Sequence, residues 1–361
     1  MTSQSSTLPG GAPVKAGAPP VFFDEAASAL PHPRLAEWFA WFCGEIPYNP
    51  HGGTKYAEIS RRRILLAEER ILRILGADNA FIIWTSGVTE ALNLALNSLG
   101  NLTLNEGSHP ALAEPAALLP KPENQTRNSF ASSHIESETG RICDLVALRK
   151  KIGKDLLLVD GAQSFCKIDI PWRSASIDML ALSSRKIGGP ASIGALVVKK
   201  GIAIKPLMFG GGQQNGLRPG TLDAIGIALF AEVACDRAAH QAENYRKITA
   251  LNRQLWSMLN ESGLRYVRIS PDNAYTGIAM FALPGYEGAV IARILAEKKG
   301  ILLSSGTACT AETGRPSANM IHAAGSEELA RSAIRVSLSH TNTTAEIQQL
   351  VTALKRTLQN Y

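Results

Sequence analysis

Residues 183–196 read SSRKIGGPASIGAL. The stretch joins two short apolar runs, Met179–Ser183 (MLALS) and 193–198 (IGALVV). Both are apolar without alternation, as strands covered on two faces are. Lys186 sits just past the first run and is followed by the turn Gly188-Gly189-Pro190. A lysine carried to a strand end next to a second cation, here Arg185, favours its neutral, nucleophilic amine. A surface lysine before a turn is the plainer reading of this stretch in isolation, so the surrounding pattern has to decide.

Outward from Lys186 the chain alternates short apolar runs with helical periodicity, which predicts an α/β fold. Ala80–Thr85 (AFIIWT) is a buried-type strand that runs through Ser86-Gly87 into a helix over 88–99, and 155–159 (DLLLV) is a further strand. Lys55–Leu75 carries apolar residues at helical spacing, with Gly76 as its C-cap. After Gly220 the pattern changes. One long helix is expected over 222–259, then strands at 277–282 and 301–304 around a helix at 287–299. A strand at 333–338 and a last helix opened by Thr343-Thr344-Ala345-Glu346, a capping-box signature, complete the chain. The expected division is a disordered tail over 1–20, rich in Ser, Gly, Pro and Ala, and a segment 21–50 that folds back onto the small domain. A large domain over 51–230 and a smaller α+β domain over 231–361 follow.

Composition narrows the function. The 361 residues are 45% hydrophobic and 19% charged, with a formal net charge of +6, a soluble globular balance. The densest basic run, Arg61-Arg62-Arg63, lies inside an amphipathic helix, so no direct nucleic-acid binding is expected. No apolar run reaches membrane-spanning length. The five cysteines, Cys43, Cys143, Cys166, Cys235 and Cys309, have no CxxC spacing, which argues against disulfides and structural zinc and for a cytoplasmic setting.

Three more segments carry candidate chemistry. Thr85-Ser86-Gly87-Val88-Thr89-Glu90 ends a strand and opens a helix. Free N–H groups and the helix dipole favour a phosphate there, although an ordinary N-cap looks the same. Asp160, in VDGAQS (159–164), ends an apolar strand, where α/β sheets place ligand contacts. A carboxylate at that point can pair with a protonated ring nitrogen of a cofactor, and Gln163 can donate to a ring oxygen; a turn Asp is the alternative. Cys309 lies in the small-residue stretch SSGTACT (304–310), accessible for chemistry or buried as a structural thiol.

Taken in order, TSGVTEALN (85–93), VDGAQSFCKIDI (159–170), SSRKIGGPASIGAL (183–196), GGGQQNGLRPGT (210–221), SSGTACT (304–310) and AIRVSLSH (333–340) resemble the class V aminotransferase group of fold-type I pyridoxal 5'-phosphate (PLP) enzymes. The NifS/IscS type of cysteine desulfurase is the nearest pattern. The resemblance implies a homodimer that takes L-cysteine, leaves L-alanine, and passes a persulfide on Cys309 to an acceptor protein. It implies that Lys186 holds PLP covalently and later moves the substrate α-proton. Asp160 would pair with the pyridine nitrogen, Gln163 and Ser137 would face the ring oxygen, and His109 would stack on the ring. Gly87, Val88, Thr89, Ser183 and Arg185 would bind the phosphate, with Thr221 adding a contact across the dimer. Arg335 would clamp the substrate carboxylate, where a bidentate fork is favoured.

Three departures stand beside this. Arg185 replaces the family's His before the lysine, and it cannot shuttle a proton near neutral pH. Glu136-Ser137-Glu138-Thr139-Gly140 replaces an Asn-Asn-Glu segment, so Ser137 stands where Asn is expected. The stretch 109–137 is short, which predicts a missing strand–helix unit and an opened sheet face for a partner or another substrate. They keep a C–S or C–Se lyase or a transaminase as the alternative, and a non-catalytic interaction protein as a third reading.

Overall fold

The computed structural model describes residues 19–105, 107–118, 128–306 and 315–361. Its larger sheet has six strands in the order Ala80–Thr85, Gly194–Lys199, Met179–Ser183, Leu156–Asp160, Ser129–Ser133, Leu102–Leu104. The last four are mutually parallel, and Gly194–Lys199 runs antiparallel between its two neighbours. The absence of alternation in these runs has a simple cause. Leu157, Val159, Leu180 and Leu182 enter one core with helices Lys55–Leu75 and Ala224–Ala239. Leu156, Leu158, Met179 and Ala181 enter a second core, on the other face, with helix Val88–Leu96. Each strand therefore buries both faces.

Helix Lys55–Leu75 starts at Thr54, whose side chain accepts from the Ala57 N–H, and ends at Gly76 in the left-handed region at φ 62°. Between the parallel neighbours Leu102–Leu104 and Ser129–Ser133 the described residues carry one helix, Pro110–Leu118.

The second sheet has four antiparallel strands in the order Ser304–Ser305, Ala333–Ser337, Ile278–Ala282, Val267–Arg268. Helices Gln241–Glu261, Gly288–Lys299 and Thr344–Gln359 share a core with Ala279, Phe281, Ile334 and Val336 on one of its faces. The last helix has the expected capping box, with Thr343 and Glu346 each accepting from the other's backbone N–H.

Two sequence expectations are corrected. The helix expected over 222–259 is two, Ala224–Ala239 and Gln241–Glu261, broken at His240 where φ is −104° and ψ 6°. No Gly or Pro marks the break. It falls where the chain leaves the large-sheet core for the small-sheet core, and tertiary packing overrides local periodicity there. The strand expected over 301–304 is also two. Ile301–Leu302 pairs in parallel with Val21–Phe22, whereas Ser304–Ser305 pairs with Ala333–Ser337. The partner that claims the first half lies nearly the whole chain away.

The N-terminal segment touches both parts. Val21–Phe22 forms a two-stranded sheet with Ile301–Leu302, and the bridge from Asp24 to Ser337 joins the segment to the small sheet. Helix Leu35–Glu45 then buries Phe42 with Ile46 in the large-sheet core. No helix among the described residues is long and apolar enough to cross a membrane.

Candidate active site

The site forms where strands of the large sheet end together. In register, Gly194 lies opposite both Thr85 and Ser183, and Asp160 lies opposite Ala181 and Ser133. The ends of the strands carrying Thr85, Ser183 and Asp160 therefore share one edge. Gly194 also has to be glycine. A Cβ there would lie 2.4 Å from the Gly87 carbonyl carbon, so the turn before helix Val88–Leu96 rests directly on the neighbouring strand. Ser183, buried, stands beside this turn, with half-buried Gly87 and Val88 and exposed Thr89 at the helix start. The arrangement presents backbone N–H groups and a hydroxyl to an anion.

Lys186 follows in the 3-10 turn Ser184–Ile187. Its Nζ donates to the carbonyls of Ala26 at 2.7 Å and Ala27 at 2.9 Å. Burial pushes the amine down to about 7, aided by the positive charges of Lys167, Arg185 and Arg335 and opposed by Asp160. A much larger share of this amine is thus neutral near pH 7 than in a free lysine. Arg185 itself is exposed.

Asp160 is buried and takes the Ala162 N–H at 2.9 Å. Burial holds its carboxyl above the usual range, against that N–H and the charges of His109 and Lys186. Among the described residues it has no ion-pair partner, so a protonated ring nitrogen is the kind of group that would satisfy it. His109 accepts the Ala111 N–H at Nδ1, at 3.1 Å, which places the ring proton on Nε2 in the neutral form. Burial lowers its pKa, so the neutral ring dominates.

Arg335, on strand Ala333–Ser337, is buried. It donates to the Ser137 carbonyl at 2.8 Å, to Asp24 at 3.0 Å and to the Ser304 hydroxyl at 2.9 Å. Among the described residues its Nε has no partner, which leaves an N–H for a further acceptor. Gln163 is buried too, but its amide is engaged: Nε2 donates to the Ala26 carbonyl at 2.7 Å and Oε1 accepts from Lys167 at 3.3 Å.

The structure thus brings Lys186, Asp160, His109 and Arg335 within electrostatic reach of one another. Ser137 meets them through its backbone carbonyl. Thr221 is exposed, in the loop before helix Ala224–Ala239. Cys309 lies outside the described residues. The residues flanking that gap reach the site from both sides. Ser304 bonds Asp24 and Arg335, while Ser317 donates to the Glu138 carboxylate and Asn319 to the Ser108 carbonyl beside His109.

The aminotransferase class-V family model matches residues 21–115 and 116–350. The chain belongs to this family. The family comprises PLP enzymes. Cysteine desulfurase IscS of Colwellia psychrerythraea is 28% identical to this class-V chain over 376 residues, covering 93% of the chain and 92% of that protein. The mitochondrial cysteine desulfurase of Saccharomyces cerevisiae is 28% identical over 375 residues, covering 94% of the chain and 75% of that protein. The NifS-like protein of Rickettsia africae has the same fold, with a TM-score of 0.84 at 23% identity, covering 94% of this chain and 99% of that one. The α/β, fold-type I architecture expected from the motifs is the one observed.

Sequence reasoning missed Asp24, Ser304, Lys167 and the Ala26 and Ala27 carbonyls. Lys167 stood inside a quoted motif, VDGAQSFCKIDI, without a role. Asp24 follows the apolar pair Phe22-Phe23 but sits 311 positions from the arginine it binds.

Proposed function

We propose that this class-V chain binds PLP on Lys186 and acts as a cysteine desulfurase, turning L-cysteine into L-alanine and loading sulfur onto Cys309. The observation that carries the cofactor assignment is the pairing of a buried carboxylate that has no ion-pair partner among the described residues with a lysine amine held near neutrality, both at the open edge of one sheet. The choice of cysteine rests on the relatives named cysteine desulfurase, which match along most of the chain.

PLP, when bound, supplies an electron sink for the pair left on the substrate Cα after proton loss. Lys186 would anchor it covalently and afterwards carry the proton to and from Cα. The Asp160 carboxylate would keep the ring nitrogen protonated. The helix start at Gly87, Val88 and Thr89, with Ser183 and Arg185, would hold the phosphate. His109, neutral with its proton on Nε2, would lie against the ring, and Gln163 and Ser137 would border its oxygen. Arg335, whose Nε–H has no partner among the described residues, would take the substrate carboxylate. The Cys309 thiolate would then bond to the substrate sulfur as the Cβ–S bond breaks, leaving alanine and a persulfide for a protein acceptor.

A homodimer completes this reading, with Thr221 reaching the partner's phosphate site. Exposed Met208 and Phe209, in the same loop region, support it. The four described cysteines are all free thiols, which suits a cytoplasmic setting. We assign PLP to a large domain over 51–230 and the carboxylate clamp to a small domain over 231–361, with 21–50 shared between them.

The test is purified protein with PLP and L-cysteine, reading alanine, pyruvate, free sulfide and protein-bound sulfane sulfur separately. Alanine in step with bound sulfane sulfur, both lost in Cys309→Ala, is expected. Pyruvate with free sulfide, unchanged in Cys309→Ala, would replace the reading with a C–S lyase, which Arg185 and Ser137 favour.

A further inference from the structure

Behind Lys186, on the side of the N-terminal segment, lies a cavity of about 40 Å³, room for about one water. Its wall is unusually rich in charge. Glu25 comes from the N-terminal segment, Lys167 from the turn after strand Leu156–Asp160, and Arg237 from helix Ala224–Ala239. Tyr245 comes from helix Gln241–Glu261, with Tyr275 and His340 from the loops on either side of the small sheet. The roles assigned above to the candidate active site use none of these groups.

Lys167 is the one joined to Lys186 by a chain of contacts. Its Nζ donates to Gln163 Oε1 at 3.3 Å, Gln163 Nε2 donates to the Ala26 carbonyl at 2.7 Å, and that carbonyl accepts Lys186 at 2.7 Å. A donor at Oε1 fixes which way the Gln163 amide faces, since the other end must then donate. We propose that Lys167 is a positioning residue for Lys186, orienting it through Gln163 and the Ala26 carbonyl and acting on it directly as a half-buried positive charge. The proposal rests on Lys186 being the PLP lysine.

The surrounding charges assign this role to Lys167 and not to its neighbours. Among the charges that lower the Lys186 pKa, that of Lys167 is the largest. Arg185 is exposed, so water screens it. Arg335 meets Asp24 at 3.0 Å, which offsets its charge at contact. Arg237 donates to the Ile187 carbonyl and lies 2.9 Å from the His340 ring. His340 is neutral, pushed down to about 4 by burial and then by Arg237. Burial raises the Tyr275 hydroxyl and the Cys166 thiol, so both stay neutral. Burial lowers the Lys167 amine too, and Glu25, whose carboxyl burial raises and Lys167 chiefly lowers, is the charge that most opposes this. A positive charge beside the reactive amine disfavours its charged form.

The test follows apo-protein as it condenses with PLP, reading the visible cofactor–lysine absorbance band against pH. Wild-type protein is expected to show a midpoint near neutrality. Lys167→Met should move it up by about one pH unit, a roughly ten-fold slower reaction below the midpoint. Lys167→Gln, which loses the charge but keeps a donor, should move it as far, and Lys167→Arg should hold it in place. Circular dichroism checks that each variant is folded, and the Gln and Arg variants carry the test if Met does not fold. An unshifted midpoint in folded Lys167→Met or Lys167→Gln, with a wild-type band present, overturns the role of Lys167 alone. No band in wild-type protein overturns the cofactor assignment and the proposal with it.

Discussion

The amine of Lys186 is the residue on which the site turns, and its two states make a stability prediction. In the unfolded chain it titrates near 10.5 and in the fold near 7. Between those values the unfolded state binds more protons, so this group makes folding more favourable as pH rises from about 7 toward 10.5. The urea midpoint of apo-protein is expected to climb more between pH 7 and 9 than that of Lys186→Met, and equal slopes would contradict the buried amine. Arg335 makes a kinetic prediction. Arg335→Lys keeps a charge but loses the fork, so KM for the amino acid should rise about ten- to a hundred-fold, on the order of 2 kcal/mol, while the PLP band persists. Lys186, Asp160 and Arg335 were legible because each ends or lines an apolar strand within a recognisable motif. Lys167 and Asp24 were not, because their meaning comes from Gln163, Ala26 and Arg335, which only the folded chain brings next to them.

At the scale of elements, the seam between strand Gly194–Lys199 and the turn at Gly87 has no slack. In Gly194→Ala the added Cβ would sit 2.4 Å from backbone, so the helix start has to move. PLP affinity should fall about ten-fold or more, and affinity for pyridoxal, which lacks the phosphate, should fall less. The contrasting control is distant: Thr343→Ala removes one half of the capping box and should cost about 1 kcal/mol in the denaturation midpoint, leaving the PLP band untouched. The strands and most helices were readable from apolar runs and caps. The break at His240 was not, since its periodicity continues through it. Nor was the change of partner after Leu302, because Val21–Phe22 are two residues with no strand signature of their own.

For the whole molecule, Asp24 ties the N-terminal segment to the small sheet, through Arg335 and Ser304. Asp24→Ala leaves the buried arginine short of its counter-charge, so stability should drop by about 3 kcal/mol and KM should rise together with it. A change in only one of the two would separate the strut from the clamp. The same segment carries a consequence for how the protein is made. Residues 21–27 leave the ribosome early, yet their partners are Ile301–Leu302, Arg335 and Ser337. The carbonyls that seat Lys186 therefore wait until residues 301–337 have been translated. Contacts of such sequence separation form late, and nascent chains stalled before residue 301 should expose a competent-looking sheet that captures no cofactor.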